Sequence, residues 1–222
     1  KAAWALADCL NLEAIRLIAK SLRGAVNNDP EGREGMALGQ FVTGMAFSNV
    51  GLGIAHSIAH TLGAVYDTPH GVANALMIEE VIRFNASEAP RKMGTFSQYA
   101  YPQTLAKYAA FAEGCGFTGK NDKEKVENFI EGLDKLKKKI GIKATIKEYG
   151  VDEKEFLERL DDMTEQAFDD QCTGANPRYP LMSEMKQMFL NAYYGKHFVE
   201  ESMPDINQFK QDVKAEKRKG KK

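Results

Sequence analysis

Three of the four histidines in the chain, His56, His60 and His70, lie close together in the sequence. His56 and His60 are four residues apart, so both side chains project from one face if the segment is helical. His70 follows Pro69, and a proline at a first helical position commonly opens a new helix. Clustered imidazoles favour metal coordination, although two histidines at this spacing also occur in ordinary helix cores.

Imidazole donors without a neighbouring thiolate suit zinc, iron or nickel better than copper(I). We expect His70 in the first turn of its helix, where the partial positive charge keeps an imidazole in the neutral form that binds metals. The zinc-protease motif does not apply, because Ser57 stands where that motif has glutamate. We interpret Ser57 only as a helix residue. The sequence also contains no GxSxG elbow, no P-loop and no complete GxGxxG motif.

The elements that must position these histidines are predicted to be helices, because apolar residues recur with a helical period along nearly the whole chain. The first helix places residues from Ala7 to Leu22 on its apolar face and ends near Asn27. Asp29 and Pro30 then predict the capped start of a second helix that extends toward Phe47. Its recurring glycines indicate close packing against neighbouring helices. These glycines are Gly35, Gly39 and Gly44.

The two helices that carry the histidines follow directly. We predict one from Ile54 to Leu62 and another that is capped by Thr68 and starts at Pro69. Three more helices are predicted around residues 105–112, 123–140 and 153–168. No strand pattern of comparable strength occurs, so the predicted fold class is all-α. We expect residues 1–200 to form one domain and residues 201–222, which end in lysines, to form a disordered basic tail.

Composition excludes several classes of function. The 222 residues carry a formal net charge of -1 with both signs interspersed, which disfavours binding to nucleic acid or to a membrane surface. Cys9, Cys115 and Cys172 form no CxxC pair, a pattern that fits a reducing compartment and predicts a cytoplasmic protein. No uncharged apolar run reaches about 18 residues, so neither a membrane span nor a signal peptide is expected.

Longer segments resemble a known family. Residues 37–40, 47–53, 56–60 and 66–75 resemble the C-terminal helical domain of the iron-containing alcohol dehydrogenases, most closely the lactaldehyde reductase (propanediol dehydrogenase) branch. Residues 96–103 and the motif DDQCTGANPRYP at 169–180 are more similar to the alcohol dehydrogenase half of bifunctional aldehyde-alcohol dehydrogenases. The resemblance runs from Ala3 to about Tyr194. It implies a multi-helix bundle of the dehydroquinate synthase-like type.

The resemblance also implies roles for single residues. His56 and His70 match two metal ligands, while His60 matches the histidine that lies beside the nicotinamide and takes part in proton relay. Phe47 and Cys172 match positions that line the substrate pocket. The implied metal is Fe²⁺, with Zn²⁺ also possible, and the implied hydride carrier is NAD or NADP. The implied reaction interconverts a small alcohol and an aldehyde, in a protein that commonly forms dimers or larger homo-oligomers.

One part of the family pattern is missing from this chain. The family has two further ligands, an aspartate and a histidine four residues after it, and no Asp-x-x-x-His occurs in the sequence. We expect both ligands, and an N-terminal nucleotide-binding domain, to precede Lys1. The chain alone is therefore expected to hold half of a metal site and to be catalytically silent. Two other functions stay open, namely a separate histidine-based metal-binding protein and a non-catalytic helical assembly module.

Overall fold

The computed structural model describes residues 3–87 and 103–198. Within these ranges the chain forms α-helices, two short 3-10 turns and no β-strand, which confirms the all-α prediction. The helices are α1 (Ala5–Val26), α2 (Pro30–Val50), α3 (Ile54–Tyr66), α4 (His70–Ala86), α5 (Thr104–Gly114), α6 (Asp122–Lys139), α7 (Glu153–Asp169) and α8 (Met182–Tyr194). The predicted basic tail lies outside the described residues.

Helices α1 and α2 form an antiparallel hairpin whose connection is fixed by an N-cap. The Asp29 carboxylate accepts a hydrogen bond from the Gly32 backbone nitrogen at 2.8 Å, as the predicted cap requires. Close packing is confirmed at two of the three predicted glycines. A Cβ added to Gly35 would lie 2.0 Å from Ser21 Oγ, and one added to Gly39 would lie 2.8 Å from Ile18 Cγ1. The prediction is wrong for Gly44, whose Cβ position is open.

The main core lies where α3, α4, α7 and α8 meet. Helix α3 is buried on most of its surface, and its Ile54, Ile58 and Leu62 are completely buried. The rings of Phe156 from α7 and Tyr193 from α8 stack with centroids 4.2 Å apart. A smaller apolar cluster joins α4 to α5 and α6. The histidine-bearing helices are therefore braced by other helices, α3 by α7 and α4 by α5, α6 and α8.

Several predicted details are corrected by the structure. Helix α4 begins at His70 with Pro69 as its N-cap residue and without a side-chain cap, so the predicted role of Thr68 as a cap is wrong. Helix α8 is not among the predicted helices. Leu22 is exposed although it follows the apolar period of its helix, because α1 packs mainly against α2. Among the described residues no single helix is long and apolar enough to span a membrane. Helices α2 and α3 together have the required length and apolar composition, but the chain bends by 107° between them.

Candidate metal centre

The N-terminal half of α3 and the first residue of α4 bring the three clustered histidines together. His56 and His60 lie one turn apart on α3, and His70 is the first residue of α4. Residues 67–69 connect the two helices, with Asp67 in the left-handed conformation at φ 51°. The ring centroids of His56 and His70 are 5.3 Å apart, and those of His60 lie 6.0 Å from His56 and 5.9 Å from His70. Three imidazoles thus border one small region.

The electrostatic environment favours neutral imidazole at His56. Burial lowers the pKa of His56, and the nearby His70 and His60 lower that pKa further against an opposing effect of Asp170. Neutral imidazole is the form that coordinates metal ions. Asn74 supports His70, since its amide nitrogen lies 3.2 Å from His70 Nε2 and donates to the His70 carbonyl oxygen at 3.0 Å.

His60 differs from the other two histidines because it has a carboxylate partner. Its Nδ1 lies 2.9 Å from Asp170 Oδ2, and Asp170 Oδ1 accepts a hydrogen bond from the Cys172 backbone nitrogen at 2.7 Å. Burial raises the pKa of Asp170, but hydrogen bonds from His60 and Cys172 outweigh burial and leave that pKa lowered. Asp170 belongs to the motif at 169–180, yet the sequence interpretation gave it no role.

The segment that carries Asp170 and Cys172 is anchored on α3. The hydroxyl oxygens of Thr173 and Ser57 are 2.8 Å apart, and Thr173 donates to the Ala167 carbonyl oxygen at 2.7 Å. A Cβ added to Gly51 would lie 2.6 Å from Ala175 Cβ. Ser57 is completely buried. It therefore does more than occupy a helix position, because it fixes the segment that holds the partner of His60.

The two predicted pocket residues differ in their surroundings. Cys172 is buried, and its pKa is raised to about 11, first by burial and then by the neighbouring Asp170 carboxylate. Phe47 lies in the last turn of α2 and is exposed. The role of Phe47 in a substrate pocket stays a prediction.

Two different sets of residues could hold a metal ion here. His60, Asp170 and Cys172 have donor atoms within 4.8 Å of one another. Across residues 3–87 and 103–198, His56 and His70 belong to no such group of three. The close His56–His70 pair fits a divalent ion as two of its ligands, and a complete site would need more donors.

Comparison with known proteins places the chain in a family. Residues 1–193 match the profile described as "Fe-containing alcohol dehydrogenase family, C-terminal". The chain belongs to this family. Its relatives include the bifunctional aldehyde-alcohol dehydrogenase AdhE of Escherichia coli (strain K12), which is 44% identical over 194 residues that represent 85% of this chain and 22% of the relative. The Fe-containing alcohol dehydrogenase resemblance drawn from the sequence is thereby confirmed.

The other branch of the Fe-containing alcohol dehydrogenase family is also similar. Lactaldehyde reductase of Escherichia coli (strain K12) is 38% identical over 194 residues, which cover 87% of this chain and 46% of the relative. The crystal structure of a 1,3-propanediol oxidoreductase matches with a TM-score of 0.69 and 35% identity, covering 87% of this chain and 47% of that chain. The chain spans less than half the length of these relatives.

Proposed function

We propose that the chain is the metal-binding part of an alcohol dehydrogenase that interconverts a short-chain alcohol and an aldehyde with NAD or NADP. Proteins of the family are alcohol and aldehyde oxidoreductases. The observation that carries the proposal for this chain is the convergence of His56, His60 and His70 at the start of α4. The proposal includes a cytoplasmic, homo-oligomeric protein, and it adds that ligands from outside this chain complete the metal site.

His56 and His70 would hold the divalent ion, Fe²⁺ or Zn²⁺. When bound, such an ion supplies Lewis-acid polarisation of a substrate oxygen. The lowered pKa of His56 supports its role, because the imidazole stays neutral as the pH falls below the usual range for histidine. Asn74 holds the backbone of the first turn of α4 around His70. The Asn74 amide nitrogen also lies 3.2 Å from His70 Nε2, a contact that helps to orient the His70 ring.

His60 would carry the proton of the alcohol hydroxyl. Its side chain is 40% exposed, so a proton that reaches the ring can pass on to solvent. Its ring centroid lies 6.0 Å from that of His56 and 5.9 Å from that of His70, which puts it beside the region where the substrate oxygen would bind. Cys172 would border the same region as a neutral thiol, since its pKa lies near 11.

Metal affinity tests this proposal directly. We expect the chain to bind Fe²⁺ or Zn²⁺ weakly under anaerobic conditions, because two imidazoles leave most of a coordination shell to water. His56→Ala and His70→Ala should each abolish this binding in titration calorimetry. His197→Ala is the matched control, since His197 pairs with Glu80 instead of joining the cluster. Tight binding that survives both cluster substitutions would contradict the proposal.

A separate metal-binding protein is the second candidate function. The observation that favours it is the group formed by His60, Asp170 and Cys172, which offers imidazole, carboxylate and thiol donors from this chain alone. Tight, stoichiometric Zn²⁺ binding that Cys172→Ala removes and His70→Ala leaves intact would support this candidate. The same titrations therefore discriminate the two functions.

A further inference from the structure

The carboxylate of Asp170 meets His60 from a distant part of the sequence. Asp170 directly follows α7, is 110 residues from His60 in the sequence, and places Oδ2 2.9 Å from His60 Nδ1. We propose that Asp170 is a positioning residue that keeps the His60 proton on Nδ1 and leaves Nε2 as the proton acceptor. The use of that acceptor in catalysis rests on the proposed function, whereas the tautomer itself does not.

The chemistry of the pair dictates this tautomer. An ionised carboxylate has no proton to donate, so a hydrogen bond between Asp170 Oδ2 and neutral His60 requires the proton on Nδ1. The hydrogen bond made by one imidazole nitrogen determines the tautomer, and therefore whether the other nitrogen carries a proton. A ring held in this way has a fixed plane and an unprotonated Nε2. Both are needed by a group that must accept a proton from one direction.

Asp170 is itself held in place by independent contacts. Its Oδ1 accepts from the Cys172 backbone nitrogen at 2.7 Å, which leaves Oδ2 for His60. The following turn is tied to α3 through the Thr173 and Ser57 hydroxyls, 2.8 Å apart. Ser57 directly follows His56, so one buried contact sets the spacing between the carboxylate segment and the histidine-bearing helix. The arrangement is therefore fixed before any ligand binds.

The same residues could instead form a metal site, and their hydrogen bonds argue against it. The donor atoms of His60, Asp170 and Cys172 lie within 4.8 Å of one another. However, each carboxylate oxygen of Asp170 already accepts a hydrogen bond, and the buried Cys172 keeps its proton. A metal ion bound by His60 Nδ1 would have to displace the hydrogen bond between His60 and Asp170 and ionise the Cys172 thiol. The group is better described as a closed hydrogen-bond network.

The tautomer can be read by NMR on the metal-free 222-residue chain. With ¹⁵N-labelled histidine, long-range proton–nitrogen correlation spectra distinguish protonated from unprotonated ring nitrogens at about pH 8, where histidine is mostly neutral. We expect His60 to carry its proton on Nδ1. In Asp170→Asn the side-chain oxygen can still accept from the Cys172 nitrogen, but an NH₂ group faces His60 Nδ1. We therefore expect the protonated and unprotonated nitrogen signals of His60 to exchange places.

The neighbouring Asp169→Asn serves as the matched control, because Asp169 is exposed at the end of α7 and should leave the His60 spectrum unchanged. Circular dichroism of each variant reports whether the helices are retained. A wild-type His60 protonated on Nε2, or a tautomer that Asp170→Asn leaves unchanged, would overturn the proposal. Stoichiometric Zn²⁺ binding lost in both Asp170→Asn and Cys172→Ala would overturn it as well, in favour of the metal site.

This readout separates the positioning role from the proposed function, since it needs neither a metal ion nor a nicotinamide. If the tautomer responds to Asp170→Asn while the His56 and His70 titrations fail, the positioning role stands and the dehydrogenase proposal falls. If those titrations succeed while the tautomer does not respond, the dehydrogenase proposal stands and the role of Asp170 is rejected.

Discussion

At the scale of single residues, Cys172 differs from the two other cysteines in its surroundings. Cys9 and Cys115 are exposed, whereas Cys172 is buried and its pKa is raised to about 11 by burial and by Asp170. The thiolate is the reactive form, and an unperturbed cysteine has a pKa of about 8.5. At about pH 8 we expect iodoacetamide to modify Cys172 at least about a hundred-fold more slowly than Cys9 or Cys115.

Peptide mapping by mass spectrometry after timed alkylation measures the three rates separately. Because the pKa of Cys172 is raised to about 11, its rate should keep climbing as the pH increases toward that value. Alkylation in urea is the control, since unfolding removes the burial and should bring the three rates together. Equal rates in the native chain would contradict this description of Cys172.

The histidine cluster could be predicted from the sequence, whereas the partner of His60 could not. His56 and His60 are related by one helical turn, and His70 follows a proline that starts the next helix, so local rules bring the three together. Asp170 is related to His60 only through the packing of α7 against α3. No periodicity encodes a contact across 110 residues. The indication that the sequence did offer was the position of Asp170 in the motif at 169–180.

At the scale of helices, the backbones of α1 and α2 lie very close together in the α1–α2 hairpin. A Cβ added to Gly32 would lie 2.4 Å from both the Ala25 nitrogen and the Gly24 carbonyl carbon, which are backbone atoms that a rotamer change cannot move. We expect Gly32→Ala to destabilise the chain by about 1–3 kcal/mol, as overpacked substitutions do. Thermal denaturation followed by circular dichroism should show a Tm lower by several degrees.

Gly44→Ala is the matched control on the same helix. Nothing lies within 4 Å of its added Cβ, and alanine is favoured over glycine in a helix interior by about 0.5–1 kcal/mol. We therefore expect Gly44→Ala to raise the Tm slightly. A similar loss of stability in both variants would mean that the hairpin does not pack as described.

Helix starts were predictable where a side chain caps them. Asp29, Asn121 and Asp152 each accept a hydrogen bond from a backbone nitrogen in the first turn of α2, α6 and α7. Helix α8 follows Leu181, which has no capping group. Its first turn is closed instead by Glu184, which accepts from the Leu181 nitrogen at 2.6 Å. That contact depends on a residue inside the helix, so the residues just before α8 give little indication that a helix starts there.

At the scale of the whole molecule, the α1–α2 hairpin presents an apolar surface. Among the described residues these two helices pack mainly on each other, and their outward side chains include Phe41 and Leu38, which are 61% and 51% exposed. Apolar patches of this kind commonly mark contact surfaces. We expect the chain to self-associate at micromolar concentration, and we expect the double substitution Leu38→Ser, Phe41→Ser to reduce that association with little change in helix content.

Sedimentation velocity at several concentrations measures the effect. Leu157→Ser is the matched control, because Leu157 is 47% exposed on α7 and lies outside the hairpin. A wild-type chain that stays monomeric, or equal effects of both substitutions, would show that the hairpin surface does not mediate association. Such an outcome would also remove the main structural support for the assembly-module alternative.

The order in which the site residues occur along the chain has a consequence for how the protein folds. His56 and His70 belong to consecutive helices joined by residues 67–69, whereas Asp170 follows a helix much later in the chain. Short loops close quickly and lose less entropy than long ones. During synthesis, therefore, the two imidazoles meet before α7 exists, and the carboxylate reaches His60 only after the later helices dock. The His56–His70 pair thus assembles first and the His60–Asp170 contact last.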